Sequence, residues 1–275
     1  MLIKTNNKEI NNSVLIQQKD SAGNDFQQRA NEFESHSKWV KDDRINGVPK
    51  AFLKDTAYIG DLLDAGGGTG YLSWYIYINL MDKVKSIYLV DESEKMLEIA
   101  KKKENFPVIV INSSIESFCL SETRKFDTIL VRQVLQYAND ICEFLNSLKK
   151  MLNKNGKIYI GQIAVADNEC RCWHSELMQS ISNNRRRSFA YYELLNLFSQ
   201  IGFEITRCEI TDYEASINNL FNRSVDKFGD ITLEKLMNKM RLLTTETLKN
   251  KMKIRFGNND LYFTVKFCHF LLRTI

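Results

Sequence analysis

From Asp61 to Ala164 the chain alternates short apolar runs with stretches of helical period, and this alternation constrains the fold more than any other feature of the sequence. The runs "DLLDAG", "SIYLVDES", "FPVIVINSS", "FDTILVRQVL" and "NGKIYIGQIA" have strand length, and "GYLSWYIYINLM", "EKMLEIAKKK" and "ANDICEFLNSLKKML" carry a helical pattern between them. A strand that is apolar on both faces must be covered on both, and parallel strands joined by crossover helices achieve this. The pattern predicts an α/β fold with an open, largely parallel sheet and helices on both faces.

The flanks are read from the same signals. Residues 1–24 are polar and asparagine-rich, which predicts a flexible lead-in. From Asp25, "DFQQRANEFESHSKWV" has an amphipathic period with Phe26, Ala30, Phe33 and Trp39 on the buried side, the start of an N-terminal helical cap over residues 25–58. After the fifth strand, "VADNECRCWHSELMQSISNNRRRS" reads as a loop or broken helix, "AYYELLNLFSQIG" as a helix closed by Gly202, and "FEITRCEITDY" as a strand. Residues 214–258 read as a helical insertion, with Thr232 or Asp230 capping its long helix and Leu233, Leu236, Met237, Met240 and Leu243 on one face. A β-prone run, "DLYFTVKFCHFLL", ends the chain. With 44% hydrophobic residues, no repeat and no low-complexity linker, residues 25–275 are expected to form a single domain.

The first strand leads into "LLDAGGGTGYLS", where the backbone must come close to a ligand or to a neighbouring element. A phosphate-binding loop needs a lysine after its last glycine, and Gly70 is followed by Tyr71. The same tyrosine stands where a dinucleotide fingerprint has its third glycine. What remains is Gly66-x-Gly68-x-Gly70 with Asp64 before it and Asp91, at the end of the next strand, about twenty residues on, where a carboxylate takes ribose hydroxyls. An unphosphorylated, cationic adenosine compound suits two carboxylates; a pyrophosphate does not.

"LLDAGGGTG", "YLVDESEKMLEIA", "KFDTILVRQVLQY" and "LKKMLNKNGKIYIGQI" resemble, in order and spacing, successive motifs of class I S-adenosylmethionine-dependent methyltransferases, particularly the ubiquinone/menaquinone-biosynthesis type. The resemblance covers about Asp25 to Tyr213 and implies a Rossmann-like seven-stranded methyltransferase sheet with S-adenosyl-L-methionine as cofactor. It implies that Gly66, Gly68 and Gly70 wrap the methionine and ribose portion, that Asp64 meets the methionyl amino group, and that Asp91 takes the ribose hydroxyls. Glu92 and Met96 would flank the adenine. Ser113 stands where the family usually has an acid for the adenine amino group, which leaves more of that recognition to the backbone at Ser114 and Ile115. Arg132 and Gln133 lie where the family's chain passes the methyl-donor end. Gln136 and Tyr137 replace a common His-His pair, so the most obvious nearby base is absent.

Methyl transfer from a sulfonium relies on positioning and charge dispersal; an amine acceptor needs only to be neutral, whereas a hydroxyl must lose a proton. His36, Tyr137 and His174 are the catalytic candidates, and His269 is read as structural. No Asn/Asp-Pro-Pro-Tyr and no Pro-Cys follows the fourth strand, which disfavours relatives acting on nucleobase or glutamine amino groups and those with a cysteine nucleophile on RNA. A small-molecule or peptide acceptor is expected, methylated on nitrogen or oxygen in natural-product or cofactor biosynthesis. The alternatives are an RNA or protein methyltransferase using the basic clusters "RRRS" and "KNKMKIR", or an inactive methyltransferase-like partner subunit. A net charge of +4 is too small to argue for nucleic acid by itself. The six cysteines show no disulfide framework or zinc spacing, and no metal is expected. No signal peptide or apolar span is evident, so a cytoplasmic protein without membrane insertion is expected, with a homodimer compatible.

Overall fold

The computed structural model describes residues 26–182, 187–224 and 231–275. The lead-in expected over residues 1–24, Arg185 and Arg186 of the "RRRS" cluster, and the alternative cap at Asp230 lie outside the described residues.

Five parallel strands follow the apolar runs: β1 (Gly60–Ala65), β2 (Val84–Asp91), β3 (Val108–Asn112), β4 (Phe126–Arg132) and β5 (Leu152–Ala164). With β6 (Phe203–Ser216) and β8 (Leu261–Thr274) they stand in the order β3-β2-β1-β4-β5-β8-β6, and the two-residue β7 (Arg255–Phe256) pairs with β8 as an eighth strand. β8 is antiparallel to both of its long neighbours. It pairs with β5 only as far as Lys266 opposite Ala164, while β6 and β8 run on together to Ser216 opposite Tyr262.

Alternate strand residues enter different cores. On one face Leu63, Ile129 and Val131 pack with α4 (Ile115–Ser121), α5 (Ile141–Lys150) and α7 (Tyr191–Gln200) through Phe118, Phe144 and Phe198. On the other, Leu62, Ile87 and Leu130 meet α1 (Asp43–Lys54) and α2 (Tyr71–Leu80) through Phe52, Leu72 and Ile76. Leu89 packs with Leu97 and Ala100 of α3 (Glu94–Lys101). Side-chain caps start several of these helices: Ser93 accepts from the Met96 amide, Ser114 from Ser117 and Asp140 from Glu143. β1 has β2 on one side and β4 on the other, so strand order reverses there and a crevice opens beyond the strands' carboxyl ends.

Two segments differ from their expected form. Residues 26–41 are a chain of short helical turns rather than one helix, broken at the buried Ser37. The break lets the segment follow the strand ends: Trp39 sits on the Phe267 ring at 5.9 Å, Ala30 is buried as its period suggests, and Phe26 and Phe33 face the crevice. The stretch expected as a loop or broken helix contains a continuous helix, α6 (Asn168–Ile181), capped by Asp167. Cys170, Trp173, His174, Leu177, Met178 and Ile181 are all buried at a helical spacing that the intervening polar residues disguise.

Among the described residues the insertion contains α8 (Ile217–Arg223), α9 (Leu233–Leu242) and α10 (Glu246–Lys251). Thr232 caps α9 by accepting from the Lys235 amide. Leu236, Met237 and Met240 pack with Trp173 and Leu177 of α6 and Phe263 of β8 in a separate apolar core, whereas Leu243 is exposed. Among the described residues no helix is long and apolar enough to cross a membrane.

Candidate functional site

A cavity of about 260 Å³ occupies the crevice where strand order reverses. One wall comes from the ends of β1 to β4, with Asp64, Asp91, Ser113 and Arg132; the other from α6 and α8, with Met178, Ile181 and Leu220. Phe26, Phe33 and Trp39 of the N-terminal turns close over it.

The glycine loop is built by its neighbours. The Gly66 and Gly67 amides donate to the Val90 carbonyl at 2.8 and 3.3 Å, tying the loop to β2. Gly68 donates from its amide to Asp91 Oδ2 at 2.9 Å, and the Ser93 amide donates to Oδ1 at 2.9 Å. Both carboxylate oxygens are thereby fixed from behind, each retaining lone-pair capacity on the cavity side. Burial raises the Asp91 pKa above the usual carboxylate value, against the pull of these two amides.

A Cβ on Gly68 (φ +56°) would find nothing nearer than Met96 Sδ at 4.0 Å, so this glycine leaves its space to the cavity. Gly70 differs. At φ +68° a Cβ there would lie 2.6 Å from Leu89 Cδ1, so Gly70 serves the close helix–strand packing that a third fingerprint glycine would serve, one position before Tyr71. It packs behind the loop and is not part of the cavity wall.

Asp64 lies beneath the loop, almost fully buried, and accepts from the Ser73 hydroxyl at 2.5 Å. Burial pushes its pKa up to about 6, opposed by the Ser73 bond and the Arg132 charge. Arg132 is held by Asn46, whose Oδ1 accepts from Nη1 at 2.7 Å, and by the Trp39 face 5.1 Å from its guanidinium carbon. Among the described residues no carboxylate lies within ion-pair distance of it, and burial depresses its pKa. The Asn46 amide nitrogen in turn donates to the carbonyls of Val40 and Asp42, linking Arg132 to the N-terminal turns.

The remaining residues expected at the site fall into four groups. Glu92 and Met96 line the cavity, the first exposed and the second buried. Ser113, Ser114 and Ile115 also line it, but the Ser113 hydroxyl donates to the Ser114 carbonyl at 3.0 Å and the Ser114 hydroxyl caps α4. Asn112 bridges this end by donating to the Asp91 and Glu92 carbonyls at 3.1 and 3.0 Å. Gln133 and Tyr137 line the cavity as well, Tyr137 with its ring edge against Phe26 at 5.6 Å. His36 lies outside the cavity wall, exposed and 3.3 Å from Glu32. His174 is also outside it, buried on α6 with Nδ1 2.8 Å from the Ser188 hydroxyl.

Sequence reasoning passed over Ser73, Asn46 and Gln162. Two carried a visible signal: Ser73 interrupts the apolar helix "GYLSWYIYINL", and Gln162 interrupts the strand "IYIGQIA". The basic cluster "KNKMKIR" is engaged internally: Lys249 pairs with Glu246, Lys251 with Asp167 and Glu169, Lys253 with Asp212, and Arg255 with Glu214. Arg187 donates to the Ala138 and Asn139 carbonyls.

Residues 60–220 match the family model of a methyltransferase domain. A ubiquinone biosynthesis O-methyltransferase of Pelagibacter ubique (strain HTCC1062) is 34% identical over 128 residues, covering 45% of this chain. The matched segment spans 48%, about half, of that relative's length. Among solved structures, one named as a methyltransferase from Bacillus halodurans C-125 superposes with a TM-score of 0.68 at 16% identity, covering 82% of this chain and 99% of that one. The YcgJ protein of Bacillus subtilis gives 0.64 at 14% identity, covering 82% and 96%. At these identities the likeness is one of fold.

Proposed function

The chain belongs to the methyltransferase-domain family, class I and S-adenosylmethionine-dependent, and from that premise we propose that residues 25–275 act as one domain that methylates a small-molecule or peptide acceptor on oxygen or nitrogen. The observation that carries this reading is the pair of carboxylates, Asp64 and Asp91, on adjacent strands, with the Gly68 amide bound to the second.

The crevice fits the cofactor by the chemistry of its donor set. Asp91 offers two fixed oxygens to a ribose diol, and Met96 and Ile115 supply an apolar slot for a purine. Asp64 supplies a buried negative charge for an ammonium group, and Arg132 a positive one for a carboxylate. Bound there, S-adenosylmethionine supplies a methyl group made electrophilic by its sulfonium. The protein's part is to hold the ligand's two ends by charge and to exclude water with Phe26, Phe33 and Trp39.

The acceptor enters between Tyr137, Met178, Ile181 and Leu220, a mostly apolar approach that suits a compact organic molecule. The curated relative's place in ubiquinone biosynthesis supports a biosynthetic acceptor of this kind. Internal pairing of the "KNKMKIR" cations leaves that cluster little charge to offer RNA. Titration calorimetry with S-adenosylhomocysteine tests the reading: saturable binding is expected, weakened at least about tenfold by Asp91→Ala. No binding, or binding indifferent to Asp91→Ala, refutes it.

A further inference from the structure

Asn46 stands on the first turn of α1, fully buried, and its side-chain amide is oriented from both ends. Nδ2 donates to the Val40 carbonyl at 2.8 Å and to the Asp42 carbonyl at 3.1 Å, so Oδ1 is the end turned to Arg132 Nη1 at 2.7 Å. Val40 belongs to the turn Lys38–Lys41, which also carries Trp39, and the Trp39 ring covers the Arg132 guanidinium at 5.1 Å. One buried amide thereby ties the N-terminal turns to the end of β4.

The group that holds Arg132 is neutral. Among the described residues the bond to Asn46 is the only hydrogen bond of the Arg132 side chain. A guanidinium has five N–H donors, so most of them stay unengaged, and Arg132 keeps accessible surface where it lines the cavity. A cation drawn out of water calls for a counter-charge, and an amide oxygen orients it without supplying one. Asp64 is close by: Leu130 stands opposite Asp64 in the pairing of β1 with β4, and Arg132 follows two residues on. The two charges act on each other, yet among the described residues they form no ion pair. An acid and a base set apart at one end of adjacent strands match the ammonium and the carboxylate of an α-amino acid, which is how S-adenosylmethionine ends.

We propose that Asn46 is a positioning residue that aims Arg132 at the carboxylate of the cofactor's amino-acid end and couples occupation of that position to closure of the N-terminal turns. This rests on the methyltransferase reading and deepens it. A carboxylate on Arg132 fixes the guanidinium, the guanidinium fixes Asn46 Oδ1 and the Trp39 face, and Asn46 Nδ2 passes the constraint to the Val40 and Asp42 carbonyls. A ligand with the adenosine and the ammonium but no carboxylate fills the crevice and leaves the turns looser.

The test compares S-adenosylhomocysteine with its decarboxylated analogue, S-adenosylthiopropylamine, which lacks the carboxylate alone. Calorimetry on the full chain should show S-adenosylhomocysteine binding about tenfold or more tightly than the analogue. With each ligand saturating, trypsin should cut at the exposed Lys38, Lys41 and Arg44 about threefold or more slowly in the S-adenosylhomocysteine complex, as mapped by mass spectrometry. Asn46→Ala should bring both ratios to within about twofold of one, with affinity for the analogue within about twofold of wild type. Asn46→Asp, close in shape, should also abolish the preference, because its carboxylate takes the ligand's place at Arg132. A wild-type ratio near one in either measurement overturns the proposal, as does a preference that survives the substitutions. Equal weakening of both ligands by Asn46→Ala overturns it too, since a purely structural role predicts that. Should the substitutions prevent folding, the two wild-type ratios decide, because equal protection by the two ligands excludes the coupling. Failure of the wild-type chain to bind S-adenosylhomocysteine would instead defeat the methyltransferase reading itself.

Discussion

The Ser73 hydroxyl donates to Asp64 Oδ2 across 2.5 Å, joining the first turn of α2 to the end of β1 beneath the glycine loop. The bond pulls against burial, which sets the Asp64 pKa at about 6, above its ordinary 3.8. A carboxyl raised on folding keeps its proton in the folded chain where the unfolded chain has lost it. Its contribution to stability is therefore present at low pH and lost as pH rises from about 3.8 through about 6. A ligand ammonium needs the ionised form, so S-adenosylhomocysteine should bind about tenfold more weakly at pH 5 than at pH 7. Ser73→Ala should move the midpoint of that loss to higher pH, and Asp64→Asn should bind weakly with little pH dependence. Calorimetry across this range checks all three.

Gly68 and Gly70 should respond to alanine in opposite currencies. Gly70→Ala forces a Cβ to within 2.6 Å of Leu89 Cδ1 at φ +68° and is expected to cost roughly 2–4 kcal/mol of stability in urea unfolding. Gly68→Ala meets nothing closer than 4.0 Å and should cost only about 1–2 kcal/mol of backbone strain, while filling cavity space and losing ligand affinity out of proportion.

His269 is fully buried in β8, with Nδ1 2.8 Å from the Tyr159 hydroxyl. Burial, reinforced by the Arg132 charge, lowers its pKa to about 3. The folded chain then binds fewer protons than the unfolded chain between about pH 3 and 6.5, so stability falls as pH is lowered through that window. Between pH 7 and pH 5 this residue should account for about 2 kcal/mol of lost stability. His269→Gln, which can still hydrogen-bond but does not titrate, should remove that part of the slope in urea titrations at the two pH values.

The insertion is held by apolar packing more than by its ion pairs. Met240→Ala, at a site with no exposed surface between α9 and α6, should cost about 2–4 kcal/mol. Lys251→Met removes exposed pairs to Asp167 and Glu169 and should leave the unfolding midpoint nearly unchanged. Thermal or urea unfolding of the two variants separates the contributions.

The strands and the placement of Asp64 and Asp91 at the cavity were legible because their signals are local. A run such as "DLLDAG" announces a strand buried on both faces, and Asp64 and Asp91 lie at strand ends fixed by that pattern. The helix α6 was hidden because its buried face includes His174 and Cys170, which do not look apolar in a string that also holds Asn168, Glu169 and Arg171. The polar contacts around the cavity were hidden for another reason. Gln136, in the turn after β4, and Gln162, in β5, acquire meaning only when the sheet brings their side-chain amides to 2.9 Å. The same holds for Asn46 and Arg132, 86 residues apart in sequence and 2.7 Å apart in space.

Beyond Lys266, β6 and β8 continue as a two-stranded ribbon past the end of β5, and the chain between them forms α8 to α10. Leu220 of α8 therefore reaches the cavity from an overhang, whereas Asp64 and Asp91 on the opposite wall are set by the register of parallel strands several positions away. The segment between Ser216 and Leu261 takes no part in the strand pairing that places Asp64 and Asp91. A chain built this way can inherit its chemistry from one part of its sequence and acquire its choice of partner through another.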